Sequence, residues 1–270
     1  MNVPDGIVPF GIFWKYENDS ELFSIICLRK HYEKYNLELT MPYVPHARMD
    51  RVKKNTEIFT LKYFCDIINS LNFESVKVYD VHSNVSTALL NRVVNFSPYS
   101  ELDTVFHSIS YNETGETHFE KFDKTMENLV VFFPDEGAMK RYSEDLPPEV
   151  KTATFGIKHR DWDTGKILSY EVINPEVVKD KIVLIVDDIC CRGGTFYQAA
   201  TQLKEAGAKT IYLFVSHAEN SMYNGGMYNS DLVEKIFTTD SICKDYNDKF
   251  NKVQIIKPDI WWKNEIYSHP

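Results

Sequence analysis

An α/β architecture, with mainly parallel sheets covered by helices, is what this sequence predicts, and three observations carry it. Residues 182–186, IVLIV, form a continuous aliphatic run of strand length without polar alternation, the pattern of a parallel strand buried on both faces. Similar short runs alternate along the chain with segments of helical character, and such alternation implies parallel sheets. The 182–186 run leads into two acids and then a glycine pair, and open parallel sheets bind ligands outside the carboxyl ends of their strands.

In chain order the reading gives a helix over 21–35, a strand over 37–43, a helix over 58–71 and a strand over 76–81. A polar, acidic stretch at 112–124, containing Gly115, reads as a hinge or hairpin between two halves. The second half opens near Met126 with a strand over 129–133, a helix over 136–146 and strands over 152–157 and 182–186. A helix over 195–206, stopped by Gly207, and a strand over 211–217 follow. This divides the chain into domains 1–123 and 124–270. The tail, 257–270, with Trp261, Trp262 and Tyr267, reads as a docked helix or a subunit contact.

Composition narrows the function classes. The 270 residues suffice for one large or two ordinary domains, and 43% hydrophobic content supports a real core. A net charge of -9 and a pI near 5.4 argue against general nucleic-acid binding, which wants a basic face. Small anionic substrates need only local cations. Cys27, Cys65, Cys190, Cys191 and Cys243 are odd in number and lack zinc-like spacing, as expected of reduced thiols. With no signal-peptide pattern or apolar span in view, a soluble, cytoplasmic protein without a membrane partner is expected.

The densest chemistry lies in residues 187–195, DDICCRGGT. Asp187 and Asp188 are placed to accept hydrogen bonds from sugar hydroxyls, directly or through magnesium. Gly193 and Gly194 let the backbone approach an anion, and Thr195 is in place to cap the helix that follows, whose free N–H groups favour a phosphate. The plain alternative is an ordinary strand, turn and capped helix with solvent-facing acids.

This element resembles the phosphoribosyl pyrophosphate motif of the type I phosphoribosyltransferases and of their relatives, the ribose-phosphate pyrophosphokinases. Four further segments are similar to the second family. They are 42–51, PYVPHARMDR, like its ATP-site segment; 76–82, VKVYDVH, like its strand ending in Asp-Leu-His; 129–141, LVVFFPDEGAMKR, like its strand ending in Ser-Pro-Asp-x-Gly; and 156–160, GIKHR, like the stretch that opens its mobile catalytic loop. Taken singly these residues have plain readings. His82 suits a partly buried strand end, Asp135 after Pro134 a turn, Lys158 and Arg160 a solvated loop, and Arg48 a surface ion pair. The shared order of all five segments carries the resemblance.

The resemblance implies two similar phosphoribosyltransferase-like domains, each a mainly parallel sheet flanked by helices, the first holding ATP and the second the sugar phosphate. Arg48, Asp50 and His82 fall on the ATP site, and His82 with Asp135 on the magnesium pair. Lys158 and Arg160 fall on the catalytic cations of a loop, 158–166, that closes over substrates. Asp187, Asp188, Cys191, Arg192, Gly193, Gly194 and Thr195 fall on the sugar-phosphate site. The implied reaction moves the β,γ-diphosphate of ATP to the anomeric hydroxyl of ribose 5-phosphate, with Mg2+ as cofactor, in a homo-oligomer that is a dimer or hexamer.

Departures from the family pattern leave alternatives open. Met49 stands where the family has Gln, and the family's N-terminal phenylalanine loop is shortened, with Pro4, Asp5 and Gly6 as its remnant. Cys190, Cys191 and Arg192 replace residues that end in Asp-Thr, which removes an acid and adds a cation. Arg192 suits a second phosphate, so ADP-ribose is an alternative acceptor, a reading that points to NAD-related metabolism. A phosphoribosyltransferase or a non-catalytic regulatory homologue are further alternatives, against which the segments around Arg48 and His82, and the retained site residues, argue.

Overall fold

The computed structural model describes residues 10–52, 54–160, 167–244 and 248–258, with the side chains of 159, 160, 167 and 168 left aside. The chain divides into two compact units between Ser97 and Pro98, the second running to Lys257. The expected boundary near residue 123 is therefore displaced.

In the first unit β1 (Gly11–Phe13), β2 (Glu38–Met41), β3 (Val76–Tyr79) and β4 (Val93–Phe96) form a parallel sheet in the order β1-β2-β3-β4. Three helices, α1 (Glu21–His31), α2 (Thr60–Ser70) and α3 (Asn84–Leu89), lie between the strands in sequence. Helix α2 buries Leu61, Phe64, Cys65 and Ile68, the i, i+3, i+4, i+7 stripe that faces a core. They pack with Leu37, Leu39, Met41, Val76 and Val78.

The second unit begins with α4 (Tyr99–Thr114) and α5 (Phe119–Glu127). These helices replace the expected hinge at 112–124. Gly115 is in fact the left-handed residue that ends α4, with φ 70°. Leu102, Val105, Phe106 and Ile109 of α4 pack on the second sheet with Val131, Phe133, Leu184 and Phe214, which is why the helix belongs to this unit.

That sheet has seven strands. They are β5 (Leu129–Phe133), β6 (Thr152–Arg160), β7 (Ile167–Val172), β8 (Ile182–Cys190), β9 (Thr210–Ala218), β10 (Lys235–Thr239) and β11 (Val253–Ile256), in the order β11-β10-β9-β8-β5-β6-β7. All pairings are parallel except β6 with β7, an antiparallel hairpin at one edge. Along β8, Val183 and Ile185 face one core, with Phe196, Ala199 and Leu203 of α7 (Gly194–Glu205), whereas Leu184 and Val186 face the core under α4. Period-two alternation between two covered faces is what makes the run apolar throughout.

Several boundaries differ from expectation. Strand β8 continues through Asp187 and Asp188 to Cys190 because β9 is long enough to pair with it, Ile189 opposite His217 and Cys190 opposite Ala218. Helix α6 (Glu136–Tyr142) is shorter than read and finishes in a 3-10 turn, Ser143–Asp145. Strand β6 reaches Arg160, so Lys158 and Arg160 stand on a strand and not in a loop. The remainder of the expected loop, 161–166, the N-terminal remnant Pro4-Asp5-Gly6 and the aromatic tail with Trp261, Trp262 and Tyr267 lie outside the described residues.

Candidate active site

Neighbouring strands β8, β5 and β6 bring their carboxyl ends together, and the charged residues of the second unit collect there. Asp135 follows β5 as the N-cap of α6, its Oδ1 accepting from the Ala138 backbone N–H at 3.0 Å. Its Oδ2 accepts from Lys158 Nζ of β6 at 2.7 Å, with 45% of the Asp135 side chain and 11% of the Lys158 side chain exposed. Burial on its own would raise the Asp135 pKa. The hydrogen bond and charge of Lys158, the Ala138 N–H and the charge of Arg141 outweigh it and hold the carboxyl below its usual range.

Asp188, buried on β8, pairs with Arg141 of α6, Nη1 to Oδ1 at 3.2 Å. Its backbone N–H donates to Asp187 Oδ1 at 3.0 Å. Burial first, then the neighbouring Asp188 and the more distant Asp135, push the Asp187 carboxyl well above the ordinary range, against a smaller pull from Arg141. Two adjacent acids thus have different characters, one locked in an ion pair and one inclined to keep its proton.

The turn after β8 is shaped by close packing. Gly193 adopts φ 70°, where a Cβ would meet Met227 Cβ at 2.8 Å. Gly225 lies against the same turn: a Cβ there would fall 1.9 Å from the Arg192 carbonyl oxygen. Gly193, and not Thr195, is the N-cap residue of α7, and no side-chain cap is made, so Thr195 sits in the first helical turn. Sequence cannot distinguish the two without the left-handed φ of Gly193. Uncapped N–H groups at this helix start suit an anion. Arg192 is exposed beside the turn. Cys191 Sγ donates to Glu219 Oε1 at 2.8 Å, while Cys190 is buried, with its thiol pKa pushed up chiefly by that burial.

In the first unit, Arg48 follows β2 and His82 follows β3, strands that pair side by side. Arg48 is exposed and His82 half-buried. Asp50 is buried with Oδ1 on Arg51 Nε at 3.0 Å, so the guanidinium of Arg51 is what this position presents to solvent. His82 and Asp135, read as a metal pair, lie in different units. The side chain of Arg160 lies outside the described residues.

The structure therefore gathers Asp135, Lys158, Asp187 and Asp188, with the turn from Cys191 to Thr195 following β8. It adds two residues that sequence reasoning missed, Arg141 and Tyr170. Arg141 ends the 129–141 segment, and its position in the last turn of α6 was the available signal. Tyr170 carries none, because it depends on the hairpin pairing.

A parallel sheet with acids and a glycine turn at the carboxyl end of a central strand is an arrangement suited to a phosphate-bearing sugar. In agreement, the phosphoribosyl transferase domain family matches residues 138–250. A ribose-phosphate pyrophosphokinase of Thermococcus kodakarensis is 28% identical over 211 residues, covering 75% of this chain and 66% of that protein. One of Ureaplasma parvum is 27% identical over 267 residues, covering 93% of this chain and 73% of that protein. The crystal structure of phosphoribosylpyrophosphate synthetase from Mycobacterium smegmatis shares the fold, with TM-score 0.68 and 17% identity over 87% of this chain and 73% of that one. The chain is similar to the ribose-phosphate pyrophosphokinases and carries the phosphoribosyltransferase fold. It is shorter than these relatives, spanning 66% and 73% of the two pyrophosphokinases named.

Proposed function

We propose that the protein is a magnesium-dependent pyrophosphokinase that moves the β,γ-diphosphate of ATP to the anomeric hydroxyl of a ribose 5-phosphate group. The observation that carries this reading is the linked cluster of Lys158 on Asp135 and Arg141 on Asp188, at the carboxyl ends of adjacent strands. In the reaction the anomeric oxygen bonds to the β-phosphorus, the bond from that phosphorus to the oxygen bridging to the α-phosphate breaks, and AMP leaves with that oxygen. Negative charge concentrates on the transferred diphosphate, so catalysis rests on cations and positioning more than on covalent chemistry by the protein.

The residues divide these tasks. Lys158 is largely shielded from water, where a charge acts more strongly, and its ammonium has three donors, enough for a diphosphate oxygen as well as Asp135. Asp187 and Asp188 receive the ribose hydroxyls. The Gly193–Gly194 turn and the uncapped start of α7 receive the 5-phosphate. Arg48 and Arg51 supply exposed cations for ATP in the first unit, and by family resemblance Arg160 joins Lys158.

Magnesium fits the donors present. Asp135 offers an ionised, half-exposed hard-oxygen ligand on a fixed turn. When bound, magnesium neutralises charge on the ATP phosphates.

The test is incubation with ATP, magnesium and either ribose 5-phosphate or ADP-ribose, reading AMP release and the mass of the sugar product. A diphosphorylated sugar with stoichiometric AMP is expected. Absence of AMP with both acceptors overturns the reading. The exposed guanidinium of Arg192 beside the phosphate turn is the observation that favours the larger acceptor as a second reading. On that reading ADP-ribose is the faster substrate, and Arg192→Thr shifts the ratio toward ribose 5-phosphate.

A further inference from the structure

Strand β7 contributes a residue that the motifs and the reaction above leave unused. Tyr170 is buried, and its hydroxyl donates to the Pro134 carbonyl at 2.9 Å. It stands opposite Lys158 in the antiparallel ladder, so both side chains leave the hairpin on one face. Both then reach the same turn, Tyr170 to Pro134 and Lys158 to Asp135.

Gly156 lies on that face too, two residues before Lys158. A Cβ there would fall 2.2 Å from the Tyr170 hydroxyl oxygen and 2.5 Å from Cζ, so the phenol occupies the space a side chain would need. Burial first, then the charges of Asp135 and Asp187, push the Tyr170 pKa well above its ordinary value, and the phenol keeps its proton as a hydrogen-bond donor.

The need for an anchor follows from the pairing. Strands β5 and β6 pair only as far as Phe133 opposite Phe155. From Gly156 onward β6 has β7 as its ladder partner, and β7 ends the sheet. Past that point, among the described residues, Tyr170 on Pro134 and Lys158 on Asp135 tie the hairpin by hydrogen bonds to the β5–α6 turn. The lysine stem has four rotatable carbons and cannot itself define a backbone position.

We propose that Tyr170 is a positioning residue: its hydroxyl clamps the β6–β7 hairpin to Pro134 and thereby sets Lys158 against Asp135, with Gly156 making the room. The proposal rests on the functional reading above for its catalytic meaning, whereas the clamp is a matter of geometry alone.

Two measurements on the full chain test it. In Tyr170→Phe, kcat at saturating substrates is expected to fall about tenfold while both KM values stay within about twofold, the pattern of a displaced catalytic cation. Hydrogen exchange without substrates should quicken at the hairpin amides and at Ala138 and stay at the parent rate in β8 and β9. Gly156→Ala should be harmful with Tyr170 in place and much less so combined with Tyr170→Val, which removes the collision. Unchanged kcat in Tyr170→Phe overturns the positioning role, as does equal harm from Gly156→Ala in both backgrounds. If the parent releases no AMP, the functional reading and the catalytic role fall together. Exchange in Tyr170→Phe still reports on the clamp alone, and a parent-like rate there overturns it.

Discussion

The two units share a plan, parallel strands whose carboxyl ends carry polar residues, yet they treat those residues differently. In the second unit acids and cations from three adjacent strands and α6 are partnered across the chain, Lys158 with Asp135 and Arg141 with Asp188. In the first, Asp50 is taken up by its neighbour Arg51, and Arg48 and His82 stand at separate strand ends. A cross-linked charge cluster needs little reorganisation when charge develops during a reaction, whereas Asp50, paired with its sequence neighbour, leaves the Arg51 guanidinium exposed to a ligand. On the proposed function, this difference corresponds to a division of labour, with the chemical step assigned to the second unit and the grip on nucleotide to the first.

The sharpest way to break this comparison is Lys158→Ala. Turnover should drop by roughly a hundredfold or more with ATP affinity nearly intact, since the lost interaction belongs to the transition state. Steady-state kinetics beside ATP titration calorimetry would read both quantities, and activity within a few-fold of the parent would dissolve the assignment. Arg48→Ala sits on the other side of the contrast and should raise the KM for ATP about tenfold with kcat changed little. Because Arg48 is exposed, its thermal midpoint should match the parent. A fall in kcat alone would place chemistry in the first unit.

The smallest effect concerns stability. The Asp187 pKa is raised in the folded protein, so the folded state binds the extra proton between the ordinary carboxylate pKa and its own higher value. Stability is lost as pH rises through that window. Asp187→Asn removes this loss, and at neutral pH it should raise the melting midpoint above that of the parent. That gain should shrink toward zero as the pH falls to the ordinary carboxylate range. Asp135 has the opposite sign: its stabilising contribution is present above the ordinary range and fades as pH falls through its lowered value. A midpoint difference between parent and Asp187→Asn that does not vary with pH would show that Asp187 does not titrate as described.

Much of the second unit was legible in the sequence. Strand β5 occupies the residues read for it, 129–133, because five buried aliphatic and aromatic residues between a helix end and Pro134 leave no other choice. Asp135, Lys158, Asp187 and Asp188 were readable as motif positions. What was not readable depended on tertiary partners. Helix α4 has a clear apolar stripe, yet the polar composition of 112–124 reads as a hinge, and only packing of Leu102 and Phe106 on the sheet assigns the helix to the second unit. The extent of β8 depended on the length of β9, and the capping residue of α7 on a backbone angle. Tyr170 and Gly156 acquire meaning only when the hairpin register places one above the other.

The interlock at the phosphate turn bears on how portable this element is. Residues 187–195 look like a self-contained cassette that could be grafted after any buried parallel strand. Only glycine fits at 193, because Met227 leaves no room for a Cβ there, and Gly225 brings a later segment onto the Arg192 carbonyl. A transplant carrying the acids and glycines alone would arrive without its mould. The smallest transferable unit therefore includes β9 and the 220–227 segment, and a protein engineer who moves less should obtain a turn of the right composition with the wrong shape.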